Sequence, residues 1–410
     1  MLQHVLGLLS WTVFMLAVPS PAPILQAVQR GDVEQVRLLL QHGADPNTRD
    51  AQGRTLLMWA AWKNLPEIVD LLLQAGADVD TRTRDGWTPL MFAAEGGFVH
   101  IVDRLIRAGG NPEAHTKQGI TALMLAAGGG HIAVARRLLD TGINCDQKDR
   151  AGKTALHYAA QNGHADVIDV LLDGGCTVDL RDRDGWTPLM LAVQARQAET
   201  VRRLLQAGAD IHVRTRNRDT LLIIAATAGA VDVVATLLQR RLDPTVPNRD
   251  GYNALDAAAA WGEADVIRLL VQHWPAEVPL QDHLNRALSI AAGNGHAAVL
   301  RALLDMGAHP NVRDSSGWTP LCRASYRGKA RAVQILLDAG ADPELPDAQE
   351  SRTPLIWAIL GGHADIVRML LDHGARTDTP DRKGYTAWDY ARNQPGIRAI
   401  LEKHTTHLKR

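Results

Sequence analysis

The chain has 410 residues, 46% of them hydrophobic and 22% charged, with a formal net charge of −1. A single globular core of that length would normally split into domains, and near-neutrality excludes a nucleic-acid binder driven by bulk positive charge. Three cysteines, Cys145, Cys176 and Cys322, do not make a disulfide framework.

Met1–Val18 is uncharged apart from the terminus and His4, and Val5–Val18 is mostly apolar. That stretch is short for a membrane span and suits the core of a signal peptide. No Lys or Arg precedes it, and Ser20 and Ala22 are each followed by proline, which should hinder cleavage there. Residues 1–20 therefore read as an export signal or, uncleaved, as an anchor; a helix capping the open end of a stack is the alternative. The first reading makes the protein periplasmic, secreted or membrane-anchored, and the second leaves it cytoplasmic.

From Pro23 onward one frame recurs every 33 residues, and Asp149–Arg181 shows it best. Its turn glycine, Gly152, returns at Gly53, Gly86, Gly119, Gly185, Gly251 and Gly384. Its helix alanine, Ala159, returns at Ala60, Ala93, Ala126, Ala192, Ala225, Ala258, Ala291 and Ala324. A period in this range signals a repeat architecture. Within the unit, Gly152 permits a tight turn and Thr154 is placed to cap a helix. Proline follows at the first helical position in sister units, at Pro89, Pro188, Pro320 and Pro354, where its missing N–H costs nothing. Leu156, Ala159 and Ala160 share one helical face, and Gly163 ends that helix. Val167, Ile168, Leu171 and Leu172 form the stripe of a second helix, closed by Gly174 and Gly175. Two helices this short cannot bury both apolar faces alone, so neighbouring units must supply the rest of the core.

The frame breaks in four places. Arg218 stands where the turn glycine of unit seven belongs, so that finger tip is expected to be distorted. At 272–283 (QHWPAEVPLQDH) the Gly-Ala-Asp and Asp-Gly signals are missing, and Pro275 and Pro279 interrupt the loop. The helical register survives it, since Ala291 lies 33 residues after Ala258; a defective finger with a candidate hinge at 274–284 is expected. Unit eleven carries one extra turn residue in DAQESRT (347–353). Unit twelve (381–404) is expected to keep its first helix and a shortened second, with a solvated polar tail from His404.

The unit resembles the ankyrin repeat. The residues that carry the likeness are TRDGWTPLMFAAEGG (83–97), DRDGWTPLMLAV (182–193) and GHADIVRMLLDHGA (362–375). The resemblance covers about nine-tenths of the chain, in eleven or twelve units. It implies an all-α repeat solenoid of antiparallel helix pairs with β-turn fingers, elongated and curved. It assigns residues 21–404 to one repeat domain and 405–410 to a tail.

No phosphate loop, G-x-S-x-G elbow or H-E-x-x-H occurs, so catalytic, metal and cofactor sites are all expected to be none. His131, His164, His296 and His363 occupy one Gly-His position and serve the turn between helices rather than a metal. Cys145 and Cys176 sit in adjacent loops at non-equivalent positions, and a disulfide between them stays open; Cys322 is expected to be buried. Turn arginines Arg82, Arg84, Arg181, Arg183, Arg214, Arg216 and Arg249 form a basic comb, flanked by neutralising aspartates. Aromatics are few and regularly placed. Trp87, Trp186, Tyr252, Trp318 and Tyr385 follow turn residues, while Trp62, Trp261 and Tyr326 end first helices. The resemblance puts these eight on the concave face, as anchors for a protein or peptide partner or as packing between fingers. The expected function is a monomeric, non-enzymatic interaction scaffold with no nucleic-acid partner, touching a membrane only through residues 1–18. A structural or membrane-tethered spacer is the alternative.

Overall fold

The computed structural model describes residues 22–408. The leader expected at residues 1–20 lies outside them, as do residues 409 and 410. Among the described residues the regular elements are 24 helices in twelve pairs, an all-α repeat solenoid.

The chain forms two compact units. One comprises the residues through Leu189 with Arg203–Ala209; the other comprises Met190–Arg202 with the chain from Asp210. In the first unit lie α1 (Pro23–Arg30), α2 (Val33–Gln41), α3 (Leu56–Trp62), α4 (Pro66–Gln74), α5 (Pro89–Glu95) and α6 (Val99–Arg107). There follow α7 (Ala122–Gly128), α8 (Ile132–Leu139), α9 (Ala155–Asn162) and α10 (Ala165–Asp173). Residues of both units make up α11 (Pro188–Gln194) and α12 (Ala198–Gln206). The second unit continues with α13 (Leu221–Ala228), α14 (Val231–Gln239), α15 (Ala254–Trp261), α16 (Ala264–Gln272), α17 (Gln281–Asn294) and α18 (Ala297–Asp305). It ends with α19 (Pro320–Tyr326), α20 (Ala330–Asp338), α21 (Pro354–Leu360), α22 (Ala364–Asp372), α23 (Ala387–Tyr390) and α24 (Pro395–Leu408).

Within each unit a first helix packs on its own second helix and on the first helices beside it. Leu57, Met58, Ala60 and Ala61 of α3 are fully buried against Ile68, Val69 and Leu72 of α4. The alanines leave room for the next first helix, and the aliphatics fill the layer between helices. Helix starts follow the expected chemistry. Thr55, Thr88, Thr121, Thr220, Thr319 and Thr353 each accept the N–H three residues on, and Pro89, Pro320 and Pro354 take the first helical position. Thr154 behaves differently, because its backbone N–H donates to Nδ1 of His157 at 3.1 Å and its hydroxyl lies 2.9 Å from the same atom.

Between pairs the chain turns through a finger. Gly152 has φ 82°, as the tight turn requires. Arg218 takes φ 64° at the equivalent place. Its N–H still closes the turn onto Thr215 O at 2.8 Å, and Thr215 N–H bonds Asp219 O at 3.2 Å. The distortion expected there is absent: the neighbouring fingers hold the turn, and the arginine backbone takes up the strain. Ser351 does the same at φ 54° where unit eleven carries its extra residue.

The finger expected to be defective at 274–284 is missing, and the cause is helix extension. α17 has 14 residues where most first helices have seven or eight. With no glycine in Gln281–Leu288 to stop it, the chain winds into helix where a finger would stand. The helices on both sides of 274–284 belong to the second unit, and α17 packs on α15 and on α19.

The last pair also departs from expectation. Its first helix is the short one, at four residues, and its second runs for 14, through the tail as far as Leu408. No Gly-Ala-Asp stop follows it. Arg398 pairs with Glu402 one turn on, and Thr405 bonds the Leu401 carbonyl. None of the helices among the described residues is long and apolar enough to cross a membrane.

Candidate functional site: the finger and first-helix face

Neighbouring fingers are joined by a backbone bond of constant register. Lys117, Arg150, Arg183, Arg249, Ala348 and Arg382 donate N–H to the carbonyls of Asp85, Gln118, Ala151, Asn217, Gly317 and Glu350, at 2.7–2.9 Å. A side-chain clamp accompanies it. Arg49, Arg82 and Lys148 each donate to the carbonyl 33 residues on, at Arg82, His115 and Arg181. Arg313 does so to Pro346. The basic comb therefore includes structural members: Arg82 grips the next finger, and Arg181 donates to Gly185 O at 2.7 Å.

A second regularity ties each finger to its own first helix. Where a finger opens with aspartate, that carboxylate accepts from the polar head of a helix residue nine or ten positions on. Trp59 Nε1 donates to Asp50 at 3.0 Å, Tyr158 to Asp149 at 2.7 Å, Trp357 to Asp347 at 3.2 Å and Tyr390 to Asp381 at 2.7 Å. Arg323 does the same to Asp314. Burial alone would raise the Asp50, Asp314 and Asp381 carboxyls, but these bonds outweigh it and hold all three below the ordinary value. Sequence reading overlooked Trp59, Tyr158, Trp357 and Tyr390, although the spacing from Asp to Trp or Tyr was there to see.

The Gly-His histidines do more than serve a turn. His131, His164, His296 and His363 reach back with Nε2 to the carbonyls of Glu95, Gly128, Ala260 and Tyr326, at 2.8–3.0 Å. Each ring therefore links two pairs. A Cβ on Gly130 would lie 2.7 Å from the His164 ring, so that glycine is needed for close approach as well as for its φ of 75°.

The eight predicted anchors divide between the units, with Trp62, Trp87 and Trp186 in the first and Tyr252, Trp261, Trp318, Tyr326 and Tyr385 in the second. They also divide by burial. Trp87, Trp186 and Trp318 are half-buried. Trp87 packs on Phe92, with ring centres 5.0 Å apart, and Trp318 lies 4.2 Å from Trp357. Tyr326 completes a three-ring cluster at 5.2 Å from Trp357, and the Arg352 guanidinium lies 5.0 Å from the Trp357 ring centre and 5.6 Å from that of Tyr390. Trp62, Tyr252, Trp261, Tyr326 and Tyr385 are exposed, Trp261 by 64%. Among the described residues nine large apolar side chains are exposed. Six of them, these five and Leu360, end a first helix or follow a turn glycine. Sequence reading missed Leu360 because its search was confined to aromatics.

Three metal-type ligands come together among the described residues. Cys145, Asp146 and Cys176 place their ligand atoms within 4.8 Å of one another. The two sulfurs are joined as a disulfide, with Cα atoms 5.6 Å apart, so neither offers a thiolate. Their separation of 31 residues is the register in which loops of adjacent repeats touch. Asp78 N–H bonds Asn47, Asn111 N–H bonds Asp80 and Thr177 N–H bonds Asp146, all 31 residues apart. The pairing left open by non-equivalent positions follows from this offset. Cys322 is buried, and burial pushes its thiol up to about 12.

A family model for ankyrin repeats, described as three copies, matches residues 16–83, 76–149, 144–215, 199–282, 276–347 and 344–409. No curated protein matches the chain significantly. Ankyrin repeats are in general protein–protein interaction modules. Six matches that follow one another from residue 16 to residue 409, over paired helices with Gly-turn fingers, leave one assignment: the chain belongs to the ankyrin-repeat family.

Proposed function

We propose that this protein is an interaction scaffold without chemistry of its own, which takes a protein or peptide partner on the face made by its fingers and first-helix ends. The observation that carries the reading is the concentration of exposed large apolar side chains there: Trp62, Tyr252, Trp261, Tyr326, Leu360 and Tyr385. Exposed tryptophan and tyrosine bury much area at low entropic cost and dominate interface energetics. Trp87 and Trp318 serve the same face as packing, since their rings are shared with Phe92 and Trp357. The partner follows from affinity purification and mass spectrometry. Replacing Tyr252, Trp261 and Tyr326 together with alanine should then weaken its binding by more than about tenfold, with helicity and melting unchanged. Undiminished affinity in that folded variant sinks the assignment.

An exported location goes with this function. It is supported by the apolar leader and by the Cys145–Cys176 disulfide, a bond that persists in oxidising compartments. N-terminal sequencing of the mature protein from the cell envelope and medium tests it; protein found only in the cytosol with its leader intact refutes it.

A further inference from the structure

We infer that the second unit carries a slot, where its finger is missing, that accepts an acidic turn-forming loop of a protein partner in place of that finger. The slot is a cavity of about 420 Å³ between the finger around Asp250–Tyr252 and the finger around Asp314–Ser316, floored by α17. It goes beyond the aromatic face and shares with it only that the ligand is polypeptide.

The register of the finger-to-finger bonds specifies the occupant. Asn217 O accepts from Arg249 N–H, and Ala348 N–H donates to Gly317 O. One repeat on from Asn217 is Asp250, and one repeat before Ala348 is Ser315. Each should pair with a finger between them, and residues 281–286 have gone into helix instead. Asp250 O and Ser315 N–H are left at the two lips of the slot, and both residues line it. A turn with one outward N–H and one outward C=O satisfies both lips, as each finger of this chain does for its neighbours. An apolar side chain satisfies neither.

The charges specify the rest. Arg286 is held by the buried Asp256, and Arg323 by Asp314. Ser289 donates to Asp314 at 2.8 Å, and the Asp250 carboxylate accepts from Asn217 at 3.0 Å. Arg327 alone of the three slot arginines meets no carboxylate: its bonds go to Asn294 Oδ1 at 3.0 Å and Gly293 O at 3.5 Å. An aspartate or glutamate beside the turn would bond it. The chain's own fingers have this composition, with Asp-Gly at 85–86, 184–185 and 250–251.

The test uses the full chain and a backbone-cyclised peptide of the protein's own 181–187 sequence, Arg-Asp-Arg-Asp-Gly-Trp-Thr, followed by amide NMR. Saturable shifts at Gly251, Tyr252, Ser315 and Ser316 are expected, weakened roughly tenfold by Arg327→Ala and abolished when the peptide backbone is N-methylated. Three results would overturn the proposal: no saturable shift at millimolar peptide, the same shifts from inorganic phosphate or acetate alone, or affinity indifferent to both Arg327→Ala and N-methylation. The substitutions Trp261→Ala and Tyr326→Ala leave this titration unchanged, so failure of the aromatic face and failure of the slot are read separately.

Discussion

His157 Nε2 lies 3.1 Å from the carbonyl oxygen of Trp186, while His157 Nδ1 faces the Thr154 N–H. A carbonyl only accepts and a backbone N–H only donates, so the ring is neutral with its proton on Nε2. Burial is the main cause that lowers this imidazole below its ordinary value.

The sign of the pH effect follows. The unfolded chain takes up a proton near pH 6.5 and the folded ring does so only at lower pH. Stability contributed by His157 is therefore fully present above about pH 6.5 and is lost as pH falls toward the folded value. Urea unfolding at pH 8 and at pH 5.5 measures it. His157→Asn should flatten the pH dependence; an unchanged slope rejects this role.

Asp256 is completely buried and held by Arg286. Burial outweighs that arginine and raises the carboxyl. Arg286→Ala strands the carboxylate and should cost about 3–5 kcal/mol at neutral pH. A carboxyl raised on folding destabilises only while it is ionised, so part of that loss should return as pH drops toward the unfolded value. Chemical denaturation at pH 7 and pH 4.5, against native protein, reads this directly. A loss that grows in acid contradicts it.

Arg218 holds a left-handed backbone at φ 64°, which costs an L-residue about 1–2 kcal/mol. Arg218→Gly relieves that strain but loosens the unfolded chain. A net gain of about 0.5–1 kcal/mol is expected by denaturant titration. Loss of stability would mean that the guanidinium contributes more than the turn costs.

The Cys145–Cys176 bond closes a loop of 31 residues. Loop-closure entropy predicts about 3–4 kcal/mol from it. Replacing both cysteines with serine should lower the melting of the first unit, and reducing agent should do the same to native protein but nothing to the variant. Equal melting with and without reductant rules the staple out.

Much of this was legible from residue types at a fixed spacing. Gly152 and Ala159 recur because a turn and a close helix contact each tolerate little else, so twelve pairs could be placed from the sequence. Contacts that cross repeats at other offsets were not legible. The pairing of Cys145 with Cys176 depends on a 31-residue vector that the 33-residue frame conceals. The helix over Gln281–Asn294 depends on what a missing glycine permits, and prolines at 275 and 279 pointed to a broken loop instead. Among the site residues, position gave Trp261 and Tyr326. That Trp87 shares its ring with Phe92, and Trp318 with Trp357, depended on coordinates.

The histidine links, clamps and finger bonds described above all join residues about one repeat apart. A gene that loses or gains one whole period brings every such partner back into phase, whereas one that slips by a few codons mismatches donors with donors at the junction. Length in this protein is thus free to evolve in steps of one brick, and a deletion series in strides of 33 and 30 residues would separate tolerated lengths from forbidden ones.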